Sequence, residues 1–213
     1  MKRIPGWLAV PSLIALAAFA PSYAVAADTW QIDPAHSSAQ FSVTHLMIST
    51  VRGEFGKLSG TLEYDGKDVA SIKADVTIDA ASISTRNEYR DKDLRSDHFF
   101  DVAKYPTVTF KSKKAVAGTG GAFKLVGDLT MHGVTKEVTL DVTGPSKVIK
   151  GQRGESRVGA SASTKINRRD FAINYNATTD GGLVVSDAVA ITIDIEAMFT
   201  PVLADPATPP AKK

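Results

Sequence analysis

The stretch Ile72-Lys73-Ala74-Asp75-Val76-Thr77-Ile78-Asp79 alternates apolar and polar side chains without a single error. Successive side chains of an extended strand point to opposite faces, so a period of two predicts a strand with one buried face. The same alternation recurs along the chain and predicts about eight strands in all. The other strands carry these apolar positions: Phe41 and Val43; Leu58, Leu62 and Tyr64; Val108 and Phe110; Phe123, Leu125, Leu129 and Met131; Val138, Leu140 and Val142; Val158, Ala160 and Ala162; Val189, Ile191, Ile193 and Ile195.

Turn-forming residues separate the predicted strands. Tyr64-Asp65-Gly66-Lys67, Gly118-Thr119-Gly120-Gly121 and His132-Gly133 supply residues that tolerate a positive φ. Short turns of this kind predict that consecutive strands pair as antiparallel hairpins. Many evenly spaced strands joined in this way are typical of a β-sandwich or a β-barrel, so we expect a single all-β domain.

One segment departs from the period of two. Thr85-Arg86-Asn87-Glu88 fits a capping box, in which the Thr hydroxyl and the Glu carboxylate bond the first free amides of a helix. It predicts a short helical segment around residues 86–101, which ends in a turn that carries Phe99 and Phe100. The charged run Arg90-Asp91-Lys92-Asp93 has two interpretations, a polar binding site or the solvated face of this helix, and the solvated face is preferred.

The two ends of the chain differ from the rest. Two basic residues precede an apolar run and the small residues Ala24-Val25-Ala26, which is the pattern of a secretory signal peptide. We therefore expect residues 1–26 to direct export to the periplasm and then to be cleaved. Residues 201–213 are rich in Pro, Ala and Lys and cannot bury enough apolar surface to order themselves. Residues 27–200 are expected to form the folded domain.

The charge of the predicted mature chain argues against nucleic acid as a partner. Lys2 and Arg3 are the basic residues before Ala27, so cleavage leaves 23 basic and 23 acidic residues rather than the basic stripe that nucleic acid needs. The chain is also not expected to span a membrane, because a spanning helix needs roughly 20 uninterrupted apolar residues. An outer-membrane barrel is disfavoured, since a charged helix interrupts the strands and Trp30 is the only tryptophan after residue 26.

The sequence shows no recognisable catalytic machinery. It has no cysteine, no G-x-S-x-G elbow and no H-E-x-x-H helix. Its four histidines, His36, His45, His98 and His132, match no metal-binding spacing. We therefore predict neither a metal site nor a cofactor, and a binding protein rather than an enzyme.

Two polar residues fall on faces that should turn inward. His45 has the same parity as Phe41 and Val43, and Arg169 has the same parity as Phe171 if that segment is a strand. A buried polar group needs a hydrogen-bond partner, so each residue has two interpretations. His45 is either a core histidine bonded to a neighbouring group or a contact for a ligand head group. Arg169 is either paired with a carboxylate or a clamp on a ligand.

Five blocks of residues follow one another in a recognisable order. They are Trp30-Gln31-Ile32-Asp33 with His36-Ser37 and Phe41; His45-Leu46 with Val51-Arg52-Gly53-Glu54-Phe55 and Gly60; Thr85, Arg90-Asp91, Leu94-Arg95-Ser96, Phe99-Phe100-Asp101-Val102, Tyr105-Pro106 and Phe110; Gly127-Asp128-Leu129-Thr130-Met131-His132-Gly133-Val134-Thr135-Lys136; and Arg169-Asp170-Phe171. Together they resemble the YceI-like family along nearly the whole chain, from Trp30 to Ala197. Ala172 departs from that pattern, because relatives tend to have glycine there, and its methyl group is expected to narrow a close backbone approach or the cavity.

The resemblance implies a single antiparallel eight-stranded barrel of the lipocalin-like kind. It also implies an apolar interior that holds a polyisoprenoid or another long-chain amphiphile, in proteins that are often exported to the bacterial periplasm, and it implies no catalytic residues. Eight strands do close into a barrel wide enough for one small or slender ligand. Symmetric dimers are common, so a homodimer is a further expectation.

We expect the ligand to contact the inward face of the barrel, with Phe99 and Phe100 near its mouth. The predicted ligand-binding residues are Phe41, Val43, His45, Phe55, Phe99, Phe100, Phe110, Leu125, Leu129, Met131, Arg169 and Phe171. Apolar burial should carry the affinity, while His45 or Arg169 should orient the head group. The alternative is a periplasmic enzyme that acts on an isoprenoid-type lipid with His45 as general base.

Overall fold

The computed structural model describes residues 28–179 and 182–200, so the predicted signal peptide and the predicted C-terminal tail lie outside the described residues. Within them, the strands are β1 (Asp28–Ile32), β2 (Ser38–His45), β3 (Ser49–Phe55), β4 (Leu58–Tyr64), β5 (Lys73–Asp79), β6 (Ile83–Ser84), β7 (Thr107–Ala117), β8 (Ala122–Met131), β9 (Val134–Thr143), β10 (Ile149–Lys150), β11 (Ser156–Asn167), β12 (Thr178–Thr179), β13 (Gly182–Leu183) and β14 (Ala188–Phe199). One α-helix, α1 (Glu88–Arg95), and three 3-10 segments, Val69–Ser71, Ala80–Ser82 and Arg168–Phe171, complete this part of the chain.

Eight of these strands close into one antiparallel barrel, as predicted. Around the barrel the order is β1, β4, β5, β7, β8, β9, β11 and β14, and β14 pairs again with β1. The longest pairing joins β11 to β14, from Ser156↔Phe199 to Asn167↔Ala188. The alternating stretch that begins at Ile72 forms β5, which lies between β4 and β7. The predicted fold class is therefore confirmed.

β1 and β2 share the place beside β14. β1 pairs with Met198 and Ala197, and β2 pairs with residues 190–194 on the same edge. β3 and β6 then extend the sheet from β2. The alternating pattern predicted β2 but not β1. The chain bends between these strands, and β1 has only five residues, which is too short to show a clear alternation by itself.

A polar network holds this bend. The Asp33 carboxylate accepts hydrogen bonds from the Ala35 amide (3.0 Å), from His36 Nδ1 (2.9 Å) and from Arg157 Nη1 (3.0 Å). Arg157 also pairs with two further carboxylates. The bond from His36, followed by that from the Ala35 amide, lowers the pKa of Asp33 to about 2, and the same bond raises the pKa of His36 above its ordinary value. The bend is thus fixed by charge-assisted bonds rather than by apolar packing.

These pKa shifts predict a pH window for stability. The lowered pKa of Asp33 stabilises the fold above about pH 3.8, and this contribution is lost as the pH falls through about 2. The raised pKa of His36 stabilises the fold below about pH 6.5, and this contribution is lost as the pH rises through the folded-state value. Asp33→Asn removes both contributions. Urea unfolding should therefore show the largest gap between wild type and variant at about pH 4–6.5, and a gap that is the same at every pH would contradict this assignment.

The end of the barrel at Trp30 is filled by side chains. The rings of Trp30 and Phe199 lie 5.5 Å apart between centroids, and Trp30 Nε1 donates to the Tyr64 carbonyl at 3.2 Å. Phe123 and Val142 are buried in the same cluster. We call this the closed end of the barrel.

Helix α1 lies inside the predicted helical segment, but the predicted capping box is wrong. The N-cap is Asn87, whose side chain accepts from the Arg90 amide at 3.0 Å. Thr85 is instead buried, and both its amide and its hydroxyl donate to Asp91 Oδ1, at 2.8 and 2.6 Å. No helix among the described residues is long and apolar enough to cross a membrane.

Ala172 ends the last 3-10 segment in a left-handed conformation, with φ 59° and ψ 17°. Its side chain is exposed and lies outside the barrel interior. The expectation that its methyl group narrows a cavity is therefore wrong. Glycine would be favoured at this position for a backbone reason, because left-handed φ is costly for a residue with a Cβ and free for glycine.

We expect Ala172→Gly to raise the free energy of unfolding by about 0.5–1 kcal/mol. The relief of left-handed strain, roughly 1–2 kcal/mol, exceeds the entropy that glycine adds to the unfolded chain, roughly 0.4–1 kcal/mol. Urea unfolding measures the change. Ala81→Gly, in the exposed part of another 3-10 segment, is the matched control and should destabilise by about 0.5–1 kcal/mol. Equal signs for the two variants would show that the left-handed backbone of Ala172 carries no strain.

Candidate functional site

Inward side chains of the barrel strands surround a cavity of about 590 Å³. It extends from the closed end, where Trp30 and Phe123 line it, to the end beside α1. The cavity therefore follows the length of the barrel. Its volume is typical of small-molecule sites, which measure roughly 300–1,000 Å³.

The wall of the cavity is apolar for most of this length. Its middle is formed by inward residues of neighbouring strands, among them Val76, Phe110, Leu125, Leu140, Ala162 and Ile193. Among the described residues, the charged side chains that line the cavity are Arg90, Asp93 and Arg168, and all three lie at the end beside α1. The cavity thus offers a long apolar interior with polar groups at one end.

The polar end of the cavity opens to the surface, and we call it the mouth. Its rim is formed by His45 at the start of the β2–β3 turn (residues 46–48), by α1, and by the facing residues 175–177, 184 and 185. The turn and a facing segment are tied together, because the Leu46 amide donates to the Val184 carbonyl (2.8 Å) and the Ser186 amide donates to the Thr44 carbonyl (2.9 Å). Tyr89 and Tyr175 are exposed lining residues of this rim.

Aromatic rings line the mouth from inside. Phe55 and Phe100 meet edge to face with centroids 5.6 Å apart, and Phe99 meets Tyr175 in the same manner at 5.3 Å. The Tyr175 ring also stacks on His98 at 4.5 Å. Such contacts hold bulky rings in fixed positions, so the mouth is shaped by rigid apolar surfaces.

Two glycines keep the interior open. A Cβ on Gly53 would lie 2.4 Å from Phe41 Cζ, and a Cβ on Gly127 would lie 2.6 Å from Phe110 Cζ. Each phenylalanine ring therefore rests directly on the backbone of a glycine in the wall. A residue with a Cβ at Gly53 would have to displace the Phe41 ring, whereas at Gly127 the Cβ would also lie 2.5 Å from the Lys111 carbonyl oxygen, so the backbone would have to shift as well.

Arg90 is one of the two arginines that line the cavity at the mouth. Its Nε donates to Thr85 Oγ1 (2.7 Å) and its Nη2 donates to the Thr85 carbonyl (3.1 Å). These bonds fix a half-buried guanidinium in the cavity wall. The interpretation of residues 90–93 as a solvated face is thus wrong for Arg90 and Asp93, which line the cavity, and for Asp91, which is buried; it holds for Lys92, which is exposed. Helical spacing could have found this face, because residues 90, 93 and 94 follow the i, i+3, i+4 pattern.

Ten of the twelve predicted site residues line the cavity: Phe41, Val43, His45, Phe55, Phe99, Phe100, Phe110, Leu125, Leu129 and Met131. The structure brings these ten together, and Phe99 and Phe100 lie near the mouth. His45 lies in the rim, where its backbone bridges to Val185. Whether any of the ten contacts a ligand stays a prediction.

Arg169 and Phe171 do not line the cavity, which corrects their expected orientation. Both lie in a 3-10 segment, so the parity of a strand does not apply to them. Arg169 is partly exposed, and its Nε donates to Asp187 at 2.8 Å. Phe171 is buried outside the cavity wall, and its carbonyl accepts from His132 Nδ1 at 3.2 Å. Arg168 instead faces inward and is 4% exposed.

One group of described side chains could by distance hold a metal ion, and it lies in the bend between β1 and β2. The ligand atoms of Asp33, His36 and Glu196 lie within 4.8 Å of one another. The guanidinium of Arg157, however, already contacts both carboxylates of this group. Because the Arg157 guanidinium already neutralises the carboxylates of Asp33 and Glu196, the group is interpreted as an ion-pair network.

Comparisons with known proteins agree with this geometry. A family model described as the YceI-like domain matches residues 30–197. A UPF0312 protein of Staphylococcus aureus (strain N315) is 37% identical over 167 residues, which is 77% of this chain and 94% of that protein. These matches cover the span over which the five sequence blocks were found, so the resemblance is confirmed.

Solved structures share the fold. The YCEI protein of Campylobacter jejuni is 36% identical with a TM-score of 0.64, over 74% of this chain and 90% of that one. A polyisoprenoid binding domain from Saccharophagus degradans has a TM-score of 0.58 and 20% identity, over 82% of this chain and 99% of that one. The second likeness bears on the fold alone.

Proposed function

Because this chain belongs to the YceI-like family, we propose that it is an exported carrier that holds a polyisoprenoid or a similar long-chain amphiphile inside its barrel. The observation that carries the proposal is the apolar cavity of about 590 Å³. Side chains close the barrel at one end of this cavity, and a guanidinium lines its mouth at the other end. A structural relative is itself described as a polyisoprenoid binding domain, which supports this ligand class. Export rests on the signal-peptide pattern of residues 1–26.

Apolar burial supplies the affinity in this proposal. Burying on the order of 400 Å² of an apolar chain at about 25 cal/mol/Å² contributes roughly 10 kcal/mol before association costs. Those costs are about 4–15 kcal/mol, so a cavity that is apolar along most of its length is needed for any useful binding. A hydrogen bond to a charged group adds only about 1.5–3 kcal/mol. Arg90 therefore orients the head group at the mouth, and the chain lies toward the closed end.

The test is to purify the protein from the periplasm of a bacterial host and to analyse it by native mass spectrometry, followed by solvent extraction. We expect a bound mass that extraction identifies as a prenyl-chain or similar lipid. A protein that carries no lipid and binds no added prenol would contradict the proposal. His45→Ala should retain the ligand, because His45 lies in the exposed rim, whereas an enzyme with His45 as general base should lose turnover of a lipid substrate by at least ~10²-fold.

Arg90 predicts a preference for an anionic head group. We expect Arg90→Gln to weaken binding of farnesyl phosphate by at least ~10-fold more than binding of farnesol, because only the phosphate carries an opposite charge for the guanidinium to pair with. Fluorescence competition measures both ligands on one sample. The ratio between them separates recognition of the head group from any structural loss, which would weaken both equally. Lys92→Gln, an exposed change on the same helix, should leave the ratio unchanged, and a ratio unchanged in Arg90→Gln would contradict the role of Arg90.

A further inference from the structure

The rim of the mouth exposes large apolar side chains. Met47 is 65% exposed, Ile48 is 84% exposed and Tyr89 is 88% exposed, and Leu46 is exposed beside them at 36%. Three of these residues form the β2–β3 turn, and Tyr89 lies on α1 and lines the cavity. The side chains of Met47, Ile48 and Tyr89 gain little from the folding of the barrel itself, because most of their surface remains in water.

The backbone of this turn is strained at the same residues. Leu46 and Met47 have φ of 48° and 58°, and the Ile48 amide donates to the His45 carbonyl at 3.1 Å. Consecutive left-handed residues in a hairpin turn normally call for Asn or Gly, which adopt this backbone at little cost. Met47 holds it with most of its side chain exposed, so burial within the barrel offsets little of the cost. Strain of this kind is concentrated at functional sites, so the turn is a candidate contact surface.

The distribution of charge indicates what covers this surface. Residues 46–48 of the turn and the facing segments 175–177 and 184–186 contain no charged side chain. Across the mouth, α1 exposes both Glu88 and Lys92. A contact made by the uncharged half of the rim therefore desolvates no ion, while the charged half stays in water or among polar head groups. Tyr89 is an exposed residue of α1 that also lines the cavity, and tyrosine is a residue that favours a membrane–water interface.

We propose that the mouth docks on a lipid surface through the β2–β3 turn and Tyr89, and that the ligand passes between bilayer and cavity at that contact. The proposal rests on the proposed function for the nature of the cargo. A protein partner seated on these side chains would cover the mouth, whereas a lipid surface is itself the apolar phase from which such a cargo comes. The mixed charges of α1 favour neither sign of lipid, so zwitterionic vesicles suffice.

The test uses the whole mature protein, phosphatidylcholine vesicles and a fluorescent farnesol analogue. The variant is Met47→Ser with Ile48→Ser. Its matched control is Val148→Ser with Ile149→Ser, two exposed apolar residues near the closed end, where β10 pairs with the part of β11 that lies beside Phe199. We expect the rim variant to bind vesicles at least ~10-fold more weakly than wild type, because two apolar side chains no longer leave water. Transfer of the analogue from vesicles should slow by a similar factor.

Binding of the analogue from aqueous solution should stay within about twofold of wild type in both variants, since neither pair lies inside the cavity. The closed-end variant should bind vesicles as wild type does. Equal losses in the two variants, or a wild type that ignores vesicles, would overturn the docking surface. So would a wild type that sediments as a dimer through this rim and becomes a monomer in the rim variant. A wild type that docks but takes up no analogue would overturn the proposed cargo and leave the docking surface standing.

Discussion

Arg168→Met is expected to lower the free energy of unfolding by about 3–5 kcal/mol. The guanidinium is 4% exposed and donates to the carbonyls of Ile173 (2.8 Å), Tyr175 (2.7 Å) and Ser186 (3.2 Å), and to the Asp187 carboxylate (3.0 Å). Methionine keeps the length of the side chain but donates nothing. Several acceptors beside the cavity mouth would therefore lose their donor, and an unpaired buried acceptor is costly.

Urea unfolding followed by circular dichroism measures the loss. Arg169→Met is the matched control, because Arg169 is the neighbouring residue, pairs with the same Asp187 and is partly exposed. Exposed ion pairs contribute about 1 kcal/mol or less, so the control should change little. Hydrogen exchange should also accelerate in residues 173–177 and 184–187 of the Arg168 variant, because these segments lose their common anchor. Equal destabilisation by the two variants would mean that Arg168 does not anchor the rim.

Ala162→Trp is expected to weaken ligand binding by at least ~100-fold. Ala162 faces the cavity from β11, opposite Val142 on β9 and Ile193 on β14. An indole there takes up contact surface that the ligand otherwise uses. Losing on the order of 120 Å² of apolar contact costs about 3 kcal/mol, which is ~100-fold in affinity.

The control for this variant is Ser163→Trp, the next residue of the same strand, whose side chain is exposed on the outer face. Both variants add the same side chain to one strand, but one adds it inside the barrel. A fluorescent farnesol analogue titrated into each protein gives the two affinities, and unfolding curves confirm that both remain folded. If the two variants bind the analogue equally well, the ligand does not occupy this cavity.

The period of two predicts which face of a strand is buried, but not which strands are neighbours. It predicted β5 and the other strands with alternating apolar and polar residues well, because each of them buries one face against the same interior. It missed β1, since the chain bends at Asp33 and the place beside β14 is shared by two separate strands, β1 and β2. That bend depends on Arg157, which lies far along the chain and shows no local signal.

The candidate site was predictable where strand parity applied. Phe41, Phe110 and Leu125 lie in regular strands, and all three line the cavity. Arg169 was misplaced because a 3-10 segment, ended by a left-handed Ala172, replaces the expected strand. Arg90 was missed because a charged helical run was read as one solvated face, although its members lie on different sides of the helix.

Phe41 rests on Gly53, and Phe110 rests on Gly127, and these two contacts affect how the width of such a barrel can change between related proteins. The width of the barrel interior at these two places depends on glycines, which have no side chain. At Gly53 a single added methyl group would displace the whole ring of Phe41, so a very small mutation acts as a large one. At Gly127 an added methyl group would also meet the carbonyl oxygen of Lys111, so the backbone of the wall would shift with the ring. Related barrels could therefore diverge in the width of their interiors through their glycines, with every phenylalanine of the wall unchanged.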